Sequence, residues 1–134
     1  MSSTEDAYDL ERFLAAQAPD YDRALSELRA GQKRSHWMWY VFPQIDGLGQ
    51  SAMSKRYSIN SVAEAKAYLD HPILGQRLRE CFAAVYDIQG ASAHEIFGSP
   101  DDMKLRSCAT LFRSVSGEKI FEQVLEKYFD GEAA

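Results

Sequence analysis

The chain has little of what membrane, exported and metal-binding proteins are built from. It contains nothing close to the roughly twenty consecutive apolar residues of a membrane-spanning helix, so no membrane partner is expected. Met1–Asp9 is polar and acidic, where a secretory signal needs a basic start and an apolar run. Only two cysteines occur, Cys81 and Cys108, each inside an apolar helical pattern. With no export signal they read as buried thiols, not as a disulfide, and the expected compartment is the cytoplasm. Histidine is equally scarce. His36, His71 and His94 lie 35 and 23 residues apart, with no H-x-x-x-H pair and no paired cysteines, so neither a metal nor another cofactor is expected. There is no G-x-S-x-G nucleophile elbow, and the apolar setting of both cysteines disfavours a thiolate. Basic charge is short as well: 15 Lys and Arg stand against 20 Asp and Glu, a formal net charge of −5. That balance argues against wholesale binding to nucleic acid or to an anionic membrane.

What is present is a globular composition, 46% hydrophobic and 26% charged, in 134 residues. No repeat, linker or low-complexity tract divides it, so residues 1–134 are expected to form one domain with 1–6 loosely ordered. Helical signals are dense. Leu10, Phe13 and Leu14 form a short stripe. Pro19 opens a second helix in which Tyr21, Ala24, Leu25 and Leu28 recur at helical spacing, and Gly31 suits its stop. Ser61 with Glu64, and Ser92 with Glu95, have the form of capping boxes. Leu74, Leu78, Cys81, Val85 and Ile88 make the longest stripe, ended by Gly90. Ser99-Pro100-Asp101-Asp102 reads as a helix start with a capping hydroxyl, and Leu105, Cys108, Ala109 and Phe112 line that helix. Phe121, Val124, Leu125 and Tyr128 mark a last one, with Gly131 beyond it. Period-two alternation is nearly absent. The expected fold is mainly α, a multi-helix orthogonal bundle of about seven or eight helices, with room for a small irregular or β element between residues 39 and 57.

Residues 31–60 stand apart. Trp37, Trp39, Tyr40 and Phe42 crowd six positions and include both tryptophans. Lys33, Arg34, Lys55 and Arg56 face only Asp46 in this acidic chain. Gly47 and Gly49 bracket Leu48, and Ser51 could cap a helix through Ser54, Lys55 and Arg56. Glycine-rich backbone and a helix N-terminus suit an anion, and aromatic faces suit a flat ring. The candidate ligand-binding set is therefore Lys33, Arg34, Trp37, Tyr40, Gln44, Gly47, Gly49, Lys55, Arg56 and Tyr57. His36, which would share a helical face with Tyr40, is the first proton-transfer candidate. The alternative for Trp37–Phe42 is plain core, with Ser35 capping a short helix before Pro43.

Three strings carry a resemblance: SHWMWYVFPQIDGLGQS, AYLDHPILGQRLREC and EIFGSPDDMKLRSCATLF. With them the chain, from about Leu10 to Phe129, resembles the domain-of-unknown-function-1810 family, whose members are often labelled calpastatin. The resemblance implies a mainly helical single domain and brings no established activity. The calpastatin label does not suit this composition, because that inhibitor is built from disordered repeats. Ser61-Val62-Ala63-Glu64-Ala65 is also faintly similar to the helix start of NADAR-type domains, which are associated with ADP-ribose removal or N-glycosidic cleavage. That likeness would make Glu64 an acidic catalytic residue with Trp37 or Trp39 stacking a base. The functional expectation is a small phosphate-bearing or nucleotide-like ligand, with N-glycosidic hydrolysis as an extension. The alternative is a protein-interaction domain without chemistry, whose basic edge meets an acidic peptide or a second copy in a homo-oligomer.

Overall fold

A computed structural model describes residues 8–45 and 51–132. Among these residues there are nine helices: α1 (Glu11–Gln17), α2 (Tyr21–Arg29), α3 (Met38–Val41), α4 (Ala52–Arg56), α5 (Val62–Asp70), α6 (Leu74–Asp87), α7 (Ala93–Phe97), α8 (Asp101–Ser116) and α9 (Lys119–Phe129). The short helices α3 and α4 carry the count beyond the seven or eight expected. The β element between residues 39 and 57 reduces to one isolated parallel bridge, Ile45 to Ile59, among the described residues.

The apolar stripes explain the packing. The longest, on α6, buries Leu74, Leu78, Cys81 and Val85, and the stripe on α8 buries Leu105, Cys108, Ala109 and Phe112. These faces meet α9, which brings Phe121, Val124 and Leu125. Aromatic rings knit the centre edge to face. Phe42 meets Phe82 at 5.2 Å and Phe82 meets Phe121 at 4.9 Å, within the range such pairs favour. Both cysteines are buried and free. Burial pushes the Cys81 thiol up to about 12 and raises that of Cys108 well above its ordinary value, so neither supplies a thiolate.

Local capping agrees with the sequence only in part. Ser92 and Glu95 complete a capping box on α7, and the Ser51 hydroxyl accepts from the Ser54 amide on α4. The Ser61 hydroxyl accepts from the Glu64 amide, but the Glu64 carboxylate turns elsewhere, so that box is half made. Three starts are corrected. Helix α8 has Pro100 at its N-cap, with no side-chain cap from Ser99. Helix α3 begins after Trp37, because Ser35 donates its hydroxyl to Glu27 instead of capping. Pro19 likewise precedes α2 by two positions, the N-cap being Asp20.

The corner between α5 and α6 is tight. His71 Nδ1 accepts from the Ile73 and Leu74 amides, at 3.1 and 3.2 Å, doing for α6 what a capping side chain does. Gly75 sits so close to α5 that a Cβ there would lie 1.9 Å from the Leu69 carbonyl oxygen. Gly75→Ala should therefore cost about 3 kcal/mol, the upper end of ordinary overpacking, in a urea denaturation. A loss under about 0.5 kcal/mol, the scale of an ordinary surface change, would mean that the corner opens freely.

Candidate ligand-binding site

The basic residues that cluster in sequence disperse in space. Lys33 leaves the loop after α2 for α8, where its ammonium lies 2.9 Å from Asp101 and 5.2 Å from the Trp37 ring centroid. Arg34 is exposed and reaches Gln32. Lys55 and Arg56 lie on α4 beside an open groove that also holds Arg12 and Glu64. Gly47 and Gly49 fall outside the described residues. His36 is exposed and lies outside α3, so the helical face shared with Tyr40 does not exist. Only the His36 backbone carbonyl meets Tyr40, accepting from its hydroxyl at 3.1 Å.

The aromatic run divides between core and surface. Trp37 is fully buried, and its indole N–H donates to Glu27 at 2.9 Å. Phe42 is fully buried too. Tyr40 is nearly so. Its hydroxyl donates to Asp20 at 2.5 Å, and burial and this bond raise its phenol above the ordinary value. Trp39 alone stays half-buried, with the Lys104 ammonium 4.3 Å from its ring centroid.

Glu27 organises this region. Its carboxylate accepts from the Arg34 and Ser35 amides, the Ser35 hydroxyl and the Trp37 indole, at 2.6–3.0 Å. Burial by itself would raise this carboxyl. The four donors, led by the Ser35 hydroxyl, outweigh burial and hold it at about 2.

Glu64 has an equally full set of partners. It is 3% exposed, pairs with Arg12 at 2.7 Å, and accepts from the Asn60 amide and side chain. Arg12 in turn donates to the carbonyls of Tyr8, Asp9, Arg56 and Ser58. This arrangement ties α1 to the α4–α5 connection and gives both charges partners within the protein.

A groove of about 390 Å³ lies between the α3–α4 region and α8. Two of the expected ligand residues, Gln44 and Tyr57, line it. Trp39, Lys104 and Ser107 join them, and Ile45 and Met103 stand exposed at its edge. Among the described residues neither the Gln44 amide nor the Ser107 hydroxyl has a side-chain hydrogen-bond partner. Lys104 shares Asp101 with Lys33, at 3.3 and 2.9 Å, so one carboxylate sits between two ammonium groups. That triad carries one positive charge in excess, and Lys33 is its more buried end. Sequence reasoning missed Lys104 and Ser107. They lie one helical turn apart on α8, in a pattern indistinguishable from an ordinary solvated face.

The described residues thus form an all-helical domain with a mixed aromatic and polar groove, the form of many small-molecule sites. The chain belongs to the family described as protein of unknown function (DUF1810), whose model matches residues 7–134. It is similar to a solved structure, the conserved hypothetical protein Rv1873 from Mycobacterium tuberculosis. Identity is 52%, the match covers 96% of this chain and 92% of that one, and the TM-score is 0.94. No curated protein matches the chain.

Proposed function

We propose that the groove between α3–α4 and α8 binds a small, flat molecule carrying an anionic group, phosphate-bearing or nucleotide-like. The observation that carries this reading is the convergence in one cavity of an exposed part of Trp39, the surplus positive charge at Lys104, and two unengaged polar side chains, Gln44 and Ser107. An anion beside Lys104 would balance the lysine–aspartate–lysine triad. A ring against Trp39 would bury apolar surface that is now half open. The volume sits at the small end of the range for ligand pockets, which suits a mononucleotide better than NAD or ADP-ribose.

Binding, without hydrolysis, is the reading we favour. N-glycosidic cleavage through Glu64 would need a carboxylate free to meet the sugar, and Glu64 is held by Arg12 and Asn60 beside a different groove. His36 is exposed and is not among the residues that line the cavity, so no proton transfer is assigned to it. The rival reading is a protein-interaction face, which Ile45 and Met103 favour because both are apolar and exposed at the rim.

A thermal-shift screen against nucleotides, sugar phosphates and inorganic phosphate tests the reading. A ligand at a hundred times its dissociation constant should add about 2.7 kcal/mol, or several degrees. Lys104→Met should weaken affinity about tenfold or more, which roughly halves the shift at the same ligand concentration, while leaving the unliganded melting temperature within a degree or two, as a partly exposed ion pair contributes little. An unshifted melting temperature across the whole panel would defeat the binding reading and leave the interaction face in its place.

A further inference from the structure

Gln44 holds a position that the anion-and-ring reading does not yet use. Its backbone carbonyl is fixed, accepting from the Ile59 amide at 2.7 Å, which anchors the residue where the Ile45–Ile59 bridge closes. Gln44 is a partly buried lining residue of the groove, and its side-chain amide makes no hydrogen bond among the described residues. A primary amide presents one acceptor oxygen beside donor hydrogens in a single plane, and water alone gives such a group no directional selectivity. The chemical complement is a flat edge bearing a donor next to an acceptor. Nucleobases have such edges, and a simple aromatic ring has none.

Resting on the binding function proposed above, we infer that Gln44 is a specificity-determining residue that reads the hydrogen-bonding edge of a nucleobase, and that the ligand is a nucleoside monophosphate. The same cavity then holds all three parts of such a ligand. Trp39, one face of which already lies under the Lys104 ammonium, would meet the base with the rest of its ring, Gln44 would meet the edge of the base, and Lys104 the phosphate, with Ser107 one turn along α8 from that lysine. Apolar stacking alone would accept any flat ring, so discrimination has to come from the polar group whose hydrogen bonds go unmade when the edge is missing.

The test compares AMP, GMP, CMP and UMP with phenyl phosphate, which keeps a flat ring and a phosphate but has no edge to read. Binding is measured by calorimetry on the intact chain, for the wild type and for Gln44→Leu. The tightest nucleotide should bind wild type about tenfold more tightly than phenyl phosphate does, the worth of one or two net hydrogen bonds. In Gln44→Leu the two should fall within about twofold of each other, because only the nucleotide loses an interaction. Unchanged affinity of Gln44→Leu for phenyl phosphate shows that the groove itself is intact. Equal binding of nucleotides and phenyl phosphate by wild type overturns the role of Gln44 while leaving the anion site standing. A nucleotide preference that survives in Gln44→Leu overturns it too. Failure of every compound to bind wild type removes the proposed function together with this inference.

Discussion

Glu27→Ala should destabilise the domain by about 3 kcal/mol or more, a large part of the 5–15 kcal/mol that holds a typical domain together. The reason lies in what the carboxylate leaves behind. Removing it strands the Arg34 and Ser35 amides, the Ser35 hydroxyl and the indole N–H of fully buried Trp37. The indole belongs to a side chain with no exposed surface, so most of its desolvation is left uncompensated. Glu27→Gln keeps an oxygen for the three N–H groups, and the Ser35 hydroxyl can turn to accept from the new amide. Its cost should be smaller, about 1–2 kcal/mol. Urea denaturation of the two variants gives this ordering directly. A Gln variant as damaged as the Ala variant would mean that charge, not hydrogen-bond geometry, is what Glu27 supplies.

The same carboxylate makes stability depend on pH. Its folded value of about 2 lies below the ordinary 4.5, so above pH 4.5 both folded and unfolded chains are ionised and the contribution is complete. Between 4.5 and 2 the unfolded chain takes up a proton that the folded chain refuses, and stability falls as pH falls. The Arg79 partnership holds the Glu118 carboxyl below its ordinary value as well and acts in the same direction. Glu27→Gln should therefore show a shallower acid transition than wild type. Parallel curves over that window would show that the carboxylate titrates alike in both states.

Local features were legible in the sequence and long-range ones were not, for a physical reason. The stripe from Leu74 to Val85 could be read because a helix buries one face at fixed spacing, and the Ser92–Glu95 box because both halves of it lie within one turn. The charge cluster misled because Lys33, Arg34, Lys55 and Arg56 are neighbours only along the chain. Lys33 finds its partner in Asp101, on another helix, and Lys55 and Arg56 sit beside Arg12. Of the aromatic run, Trp37 and Phe42 went to the core, where Glu27 accepts from the Trp37 indole, and Trp39 to the groove. Lys104 carries no local signal at all. Its meeting with Trp39 joins α8 to the residues around α3, and only the folded chain brings them together.

Arg12→Ala is the second large expected effect, about 3–5 kcal/mol, because it leaves the Glu64 carboxylate buried without its counter-charge. The guanidinium also gathers the backbone carbonyls of Arg56 and Ser58, the residues on either side of Tyr57. Losing it should loosen the α4–α5 connection and with it one wall of the ligand groove, so ligand response should weaken along with stability. Arg12→Lys should recover little, since a single ammonium cannot reproduce the fork that spans four carbonyls and a carboxylate. Replacing both partners, Arg12→Met with Glu64→Leu, removes the stranded charge and should regain a substantial part of the loss, though not the carbonyl contacts. The double variant therefore separates two roles. If it regains stability but not ligand response, Arg12 is what positions Tyr57 at the groove. If it regains both, packing of α1 against the connection is sufficient, and the ion pair contributes specificity of fold without shaping the site.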